Sequence, residues 1–204
     1  MTELIVALDL DDAITAHRLM RQLHIHARVQ WFKIGARALL AGVRLKGEVN
    51  RFLDLKLYDT RDTVAAVAAR AFGLGIQMLT VHATPRMLDA AMAAKTDERQ
   101  KVLAVRTLTD SRSYHGRVFA PGDLFDGIVC PAALARWYKD LYPNKLIVCP
   151  GIRPAGSSFD NHINPSTPAE ARGRRADYIV VGRPILNADD PVAAAIAIMK
   201  ELDP

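Results

Sequence analysis

FLDLKLYDTRDTVAAVAARAFGLGIQMLTVH, residues 52–82, carries the pattern on which the fold rests. Residues 52–56 form a short run in which apolar side chains bracket two charges. Residues 60–72 are rich in alanine and spaced as a helix, with Gly73 as a candidate stop. Residues 78–82 form a second short apolar run. A strand, a helix and a strand of these lengths make one β-α-β unit with parallel strands.

The same alternation extends outward to both termini. Strand-like runs recur at 4–8, 29–34, 102–107, 127–130, 146–149 and 178–181, which with the two above makes eight. Several are apolar throughout, as expected of parallel strands buried on both faces. Helical segments separate them. Residues 12–23 carry apolar Ile14, Leu19 and Leu23 after an acidic start. Residues 85–94 and 131–141 each open with proline, which suits the first helical turn. Residues 167–172 open with Thr167 as N-cap and Pro168 behind it, and 191–202 close the chain. Eight alternations predict an α/β chain folded as a (β/α)₈ TIM barrel with parallel strands, one catalytic domain over 1–204. A doubly wound open sheet is the alternative, but no glycine-rich dinucleotide fingerprint follows the first run. Residues 110–126 show little helical period, so the fifth helix is expected to be short or missing and replaced by a long loop.

Composition fits such a barrel. Half of the 204 residues are hydrophobic and 24% are charged, while aromatics are only 6%, so aliphatic side chains must build the interior. The formal net charge is +5, but Lys and Arg are scattered, with no run longer than Arg174-Arg175. That dispersion argues against a nucleic-acid face and leaves an anionic small substrate open. Cys130 and Cys149 each close an apolar run and are expected as buried thiols on adjacent strands. Two isolated cysteines make neither a metal pattern nor a disulfide framework, so a reducing compartment is expected. The N-terminus has no signal-peptide pattern, and no apolar stretch approaches the roughly 18 residues needed to span a bilayer. A cytoplasmic protein is the expectation.

Catalytic groups of such barrels stand at the C-terminal ends of the strands. Polar residues at strand ends are therefore the candidates. The first run ends in Asp9, for which an N-cap role is the structural alternative. Lys33 sits inside the apolar run Trp31-Phe-Lys-Ile-Gly35, where a charge is costly unless paired. Asp54 and Lys56 are two apart, so both point inward from one strand. Asp59 follows in the loop. Lys33, Asp54, Lys56 and Asp59 predict an alternating cluster of ammonium and carboxylate groups, costly to bury unless it is used. His82 at the fourth strand end is expected to support the site rather than react. Gly151 and Arg153 follow the seventh strand, and Gly182 and Arg183 the eighth. Glycine lets backbone N–H groups approach an anion and arginine clamps it, so these two loops predict a phosphate site.

Taken in order, these blocks resemble the orotidine 5'-monophosphate decarboxylase family. Asp54, Lys56, Asp59 and Thr63 match its Asp-x-Lys-x-x-Asp-x-x-x-Thr motif, and Ala7-Leu-Asp9, Phe32-Lys-Ile-Gly35, Val81-His-Ala83, Pro150-Gly-Ile-Arg-Pro154 and Val181-Gly-Arg-Pro-Ile185 accompany it. The resemblance implies cofactor-free decarboxylation of orotidine 5'-monophosphate to UMP, with no metal. It implies a catalytic tetrad of Lys33, Asp54, Lys56 and Asp59. It also implies a homodimer in which Asp59 and Thr63 reach the partner's site. Asp9 is similar to the ribose-binding aspartate, Arg153, Gly182 and Arg183 to the phosphate set, and Thr109 to a pyrimidine contact that Ser111 or Ser113 could replace. Thr60 stands where the family usually has Ile, and Asn161 and His162 where a phosphate-contacting Gln is expected. Arg106 is unusual within its strand. Magnesium-dependent 3-keto-L-gulonate 6-phosphate decarboxylases and hexulose phosphate synthases share the Asp-x-Lys-x-x-Asp motif but resemble each other in an acidic residue at the position of Lys33. An inactive nucleotide-binding barrel is the alternative outside enzymology.

Overall fold

The computed structural model describes residues 1–106, 119, 124–154 and 166–203. Eight parallel strands close into a barrel in chain order. They are β1 (Glu3–Ala7), β2 (Trp31–Gly35), β3 (Asn50–Leu57), β4 (Met78–His82), β5 (Lys101–Val105), β6 (Gly127–Val129), β7 (Leu146–Pro150) and β8 (Tyr178–Val181), and β8 pairs with β1. The helices are α1 (Ala13–Ala27), α2 (Ala36–Leu40), α3 (Arg61–Gly73), α4 (Pro85–Ala93), α5 (Ala132–Leu141), α6 (Pro168–Gly173), α7 (Arg183–Leu186) and α8 (Pro191–Leu202). The expected (β/α)₈ barrel is thus the observed fold. The expectation about a fifth helix between β5 and β6 falls outside the described residues.

Two cores follow from the strand period of two. Ile5, Ala7, Trp31, Phe52, Met78, Leu103, Val105, Val129, Val148 and Val180 fill the barrel interior. Their neighbours in sequence, such as Leu4, Val6, Phe32, Leu53, Leu79 and Ala104, face the helices. Cys130, just past β6, and Cys149, on β7, are buried and unpaired by any disulfide, as expected. The Cys149 thiol beside it, and then burial, push the Cys130 thiol well up.

Local signals set the helix ends. Asp12 caps α1 by accepting from the Ile14 and Thr15 backbone N–H groups. It takes the cap role that Asp9 could have filled. Thr167 and Glu170 form a capping box on α6 with Pro168 behind the cap. The end of α3 differs from expectation: Gly73 is still helical and Gly75, at φ +79°, takes the left-handed turn.

The base of the barrel is pinned by a repeated bracket. Gln77, Asp126 and Asp177 each directly precede an even-numbered strand. Their side chains accept from the backbone N–H of Arg51, Val102 and Ile147, each the second residue of the preceding strand, at 2.7–2.8 Å. Asp126 and Asp177 also hold Lys95 and Lys139 at 2.8 Å. These carboxylates thus close strand pairs from below and leave the opposite mouth for the site.

Candidate active site

At the C-terminal mouth, four charged side chains form an alternating row. Asp9, two residues past β1, lies 3.4 Å from the Lys33 ammonium on β2. Lys33 lies 3.3 Å from Asp54 on β3, and Asp54 lies 2.8 Å from the Nζ of Lys56. The Asp54 and Lys33 side chains are only 13% and 10% exposed, so each charge depends on its neighbours rather than on water. The ends of the row are wetter, with Asp9 at 46% and Lys56 at 37%. Burial pushes the Asp54 carboxyl up. The charges of Lys33 and Lys56, with hydrogen bonds from Lys56 and Thr80, outweigh that and hold it below the usual carboxylate value.

The backbone beneath this row is irregular. β3 and β4 pair as Leu53 with Leu79 and then as Leu57 with Val81. Asp54, Leu55 and Lys56 therefore oppose Thr80 alone, a bulge of two extra residues. Because two is the side-chain period, Asp54 and Lys56 still both face inward. Lys56 takes a left-handed conformation at φ +48°, which costs a non-glycine residue on the order of 1 kcal/mol or more. Thr80, fully buried, fills the gap. Its hydroxyl donates to Asp54 Oδ1 and accepts from the Lys56 backbone N–H, both at 2.9 Å.

The row lines one side of a cavity of about 540 Å³. Arg153, Gly182 and Arg183, which follow β7 and β8, line the same cavity, as do apolar residues of the inner core, including Phe52 and Val148. Arg153 is buried, two residues beyond Gly151, which turns at φ +78°. Its backbone N–H donates to the Ser166 carbonyl at 2.9 Å, fixing the segment from which the guanidinium extends. Gly182 and Arg183 begin α7 directly after β8.

Two of the expected residues stand apart. Asp59 and Thr63 are exposed and do not line this cavity. The Asp59 carboxylate accepts from the Thr60 N–H at 2.6 Å, and the Thr63 hydroxyl shares a hydrogen bond with that of Thr60 at 2.9 Å. Within one chain the second carboxylate of the row is therefore Asp9. Thr109, Ser111, Ser113, Asn161 and His162 lie outside the described residues. His82 packs edge-on against the exposed Tyr58 ring, with centroids 5.4 Å apart. Burial, and then the Lys56 charge, lower its pKa and keep it neutral near pH 7. Arg106 lies over the Phe119 ring, 4.8 Å from its centroid.

The sequence reading missed Thr80 and Arg37. Thr80 was concealed in an apolar run, although its spacing of two from Met78 marks it as inward-facing. Arg37, on the short α2, reaches the cavity wall and pairs with Asp11 in the loop that carries Asp9. No helix among the described residues is long and apolar enough to cross a membrane.

The model of the orotidine 5'-phosphate decarboxylase / HUMPS family matches residues 2–198. The orotidine 5'-phosphate decarboxylases of Methylorubrum populi and Rhodopseudomonas palustris are each 39% identical to this chain. The alignments cover 98% of it and 95% and 93% of those proteins. The crystal structure of orotidine 5'-phosphate decarboxylase from Lactobacillus acidophilus superposes with a TM-score of 0.76 at 28% identity, over 100% of both chains. With a family match across nearly its whole length and the same closed barrel, the chain belongs to the orotidine 5'-phosphate decarboxylase / HUMPS family.

Proposed function

We propose that this enzyme decarboxylates orotidine 5'-monophosphate to UMP, the last step of de novo pyrimidine synthesis, without a metal or organic cofactor. The observation that carries the reading is the row Asp9–Lys33–Asp54–Lys56, buried at its centre, which lines one cavity together with two arginines. Such a site offers an anion clamp at one end and a fixed ammonium at the other.

Arg153 and Arg183, with the backbone at Gly182, take the phosphate. Asp9 keeps half of its carboxylate in the open and accepts ribose hydroxyls. Loss of CO₂ breaks the bond from C6 to the carboxyl carbon and leaves the electron pair on C6. The ring offers that pair no conjugated sink. The Lys56 ammonium stabilises it as it develops and then delivers a proton from Nζ to C6. Solvent returns the proton to the amine. Asp54, beside Lys56, faces the departing carboxylate and disfavours it where it stands. Binding of the remote phosphate supplies the free energy that holds the ring in this arrangement.

Asp59 and Thr63 act in the site of a second subunit of a homodimer, which accounts for their exposure here. The subunits meet around the loop after β3, and the enzyme works in the cytoplasm.

A magnesium-dependent sugar-phosphate reaction is the second reading, since the family model spans both groups. Lys33 argues against it. Its ammonium stands 3.3–3.4 Å from both Asp9 and Asp54, where a cation shared by those carboxylates would have to bind. The test is ultraviolet loss of orotidine 5'-monophosphate with EDTA present and Lys56→Ala as control. EDTA-resistant decay abolished by the substitution supports the proposal. Turnover only of sugar phosphates with magnesium would replace it, and UMP binding without any turnover would leave an inactive barrel.

A further inference from the structure

The geometry points to Thr80 as the positioning residue of the site, the group that holds both Asp54 and the strained Lys56 backbone in their working arrangement. This rests on the proposed decarboxylation for its kinetic meaning, but not for its structural content.

A regular parallel pair would supply a ladder partner for the N–H of Lys56 from β4. The bulge removes that partner, because three residues of β3 face one of β4. A buried N–H without a partner would be costly, and the left-handed conformation of Lys56 adds its own strain. The Thr80 hydroxyl answers the first cost directly, as an acceptor at 2.9 Å. The same oxygen donates its one proton to Asp54 Oδ1 at 2.9 Å. Its donor and acceptor roles are thereby assigned without ambiguity, because a backbone N–H can only donate and a charged carboxylate only accept. One side chain therefore sets the separation between the Asp54 carboxylate and the origin of the Lys56 side chain. Thr80 does not line the cavity, so it acts through these two residues rather than on substrate. Its methyl group and β-branch suit a strand interior and lock χ1, which keeps the hydroxyl aimed at the bulge.

Thr80→Val retains the shape and removes the hydroxyl, and Thr80→Ser retains the hydroxyl and removes the methyl. Expected for the valine variant is a fall in kcat of about 10- to 100-fold, the scale of a misplacement near 1 Å, with KM within about threefold because no substrate contact is lost. The serine variant should keep most of kcat. A second readout needs no turnover. The Asp54 carboxyl, followed by carbon NMR through a pH titration, should titrate at higher pH in the valine variant than in wild type or serine. Equal titration of Asp54 in wild type and valine variant would overturn the assignment whatever the reaction proves to be. So would an unchanged kcat in the valine variant of an active enzyme, or an equal loss with serine. If wild type decarboxylates nothing, the reaction reading fails while the titration still decides the role of Thr80. Should the valine variant not fold, Thr80→Ala takes its place in both measurements.

Discussion

Replacing Asp54 by Asn removes the one carboxylate that touches both ammonium groups of the row. Asn has the same shape, so packing is kept and only charge is lost. At an effective dielectric near 20, each contact at about 3 Å carries a gross attraction on the order of 5 kcal/mol. Desolvation of the buried groups consumes much of that. Breaking a buried pair from one side costs about 3–5 kcal/mol, because the surviving charge stays buried. Here Lys33 keeps Asp9 at 3.4 Å and Lys56 is 37% exposed, so the lower end applies. The expected loss is about 3 kcal/mol at pH 7, or roughly 6–12 °C in Tm for a chain of this size. The dependence on pH has a defined sign. The folded-state pKa of Asp54 is lowered from 3.8, so its contribution is present above that value and is lost as pH falls through the lower, folded value. Urea unfolding of wild type and variant at pH 7 and near pH 3 measures the difference. The gap should be full at pH 7 and begin to shrink near pH 3, because the unfolded carboxyl takes up a proton before the folded one does. A variant as stable as wild type at pH 7, or more stable, would refute the view that the row is mutually compensating.

Three further outcomes are expected. Asp126→Ala strips the Val102 N–H and Lys95 of their shared partner at the base of the barrel; it should cost about 2–3 kcal/mol in urea unfolding and leave kcat unchanged. Arg153→Lys keeps the charge but loses the planar fork; kcat/KM for orotidine 5'-monophosphate should fall about tenfold, as steady-state kinetics would show. In a two-fold dimer, an inactive Lys56→Ala and an inactive Asp59→Ala should complement when mixed. Half the dimers would be mixed and each would hold one intact site, restoring about a quarter of wild-type activity. Mixing without recovery would remove Asp59 from the partner's site.

The barrel was legible in the sequence because every strand is a short run whose apolar residues satisfy two faces at once, and because capping residues such as Asp12 and Thr167 mark the helix starts. α2 and α7 were not, since five and four residues are too few to show a 3.6-residue period. The candidate site was legible wherever a charge interrupts an apolar strand, which singled out Lys33, Asp54 and Lys56. It was not legible where the informative quantity is register. Asp54-Leu-Lys56-Leu alternates like any regular strand, and nothing in it announces that β4 will offer a single residue opposite. That is also why Thr80 passed as an ordinary apolar-strand threonine. Asp9 was expected as a ribose contact. Its place as the outer member of the charged row depends on how the first two strands align, with Ala7 beside Lys33.

The order of charges in that row bears on the proposed reaction in a way that its net charge does not. Two carboxylates and two ammonium groups sum to zero, so the row by itself does not attract an anionic substrate. Attraction falls to the arginines that line the same cavity. What the row does is distinguish one position of negative charge from another nearby. Lys56 is its last member, pairs with Asp54 and lines the cavity. In the proposed ground state, the charge of the substrate's carboxylate would lie close to Asp54. As the bond breaks in that mechanism, the charge would withdraw to C6, away from Asp54 and toward Lys56. The same fixed charges then repel the reactant less and attract the carbanion more, which is differential binding of the transition state. The distinction survives only if Asp54 and Lys56 cannot drift apart or turn toward one another's far side. Such precision comes from a buried, doubly bonded support, and the Thr80 hydroxyl beneath the bulge provides one.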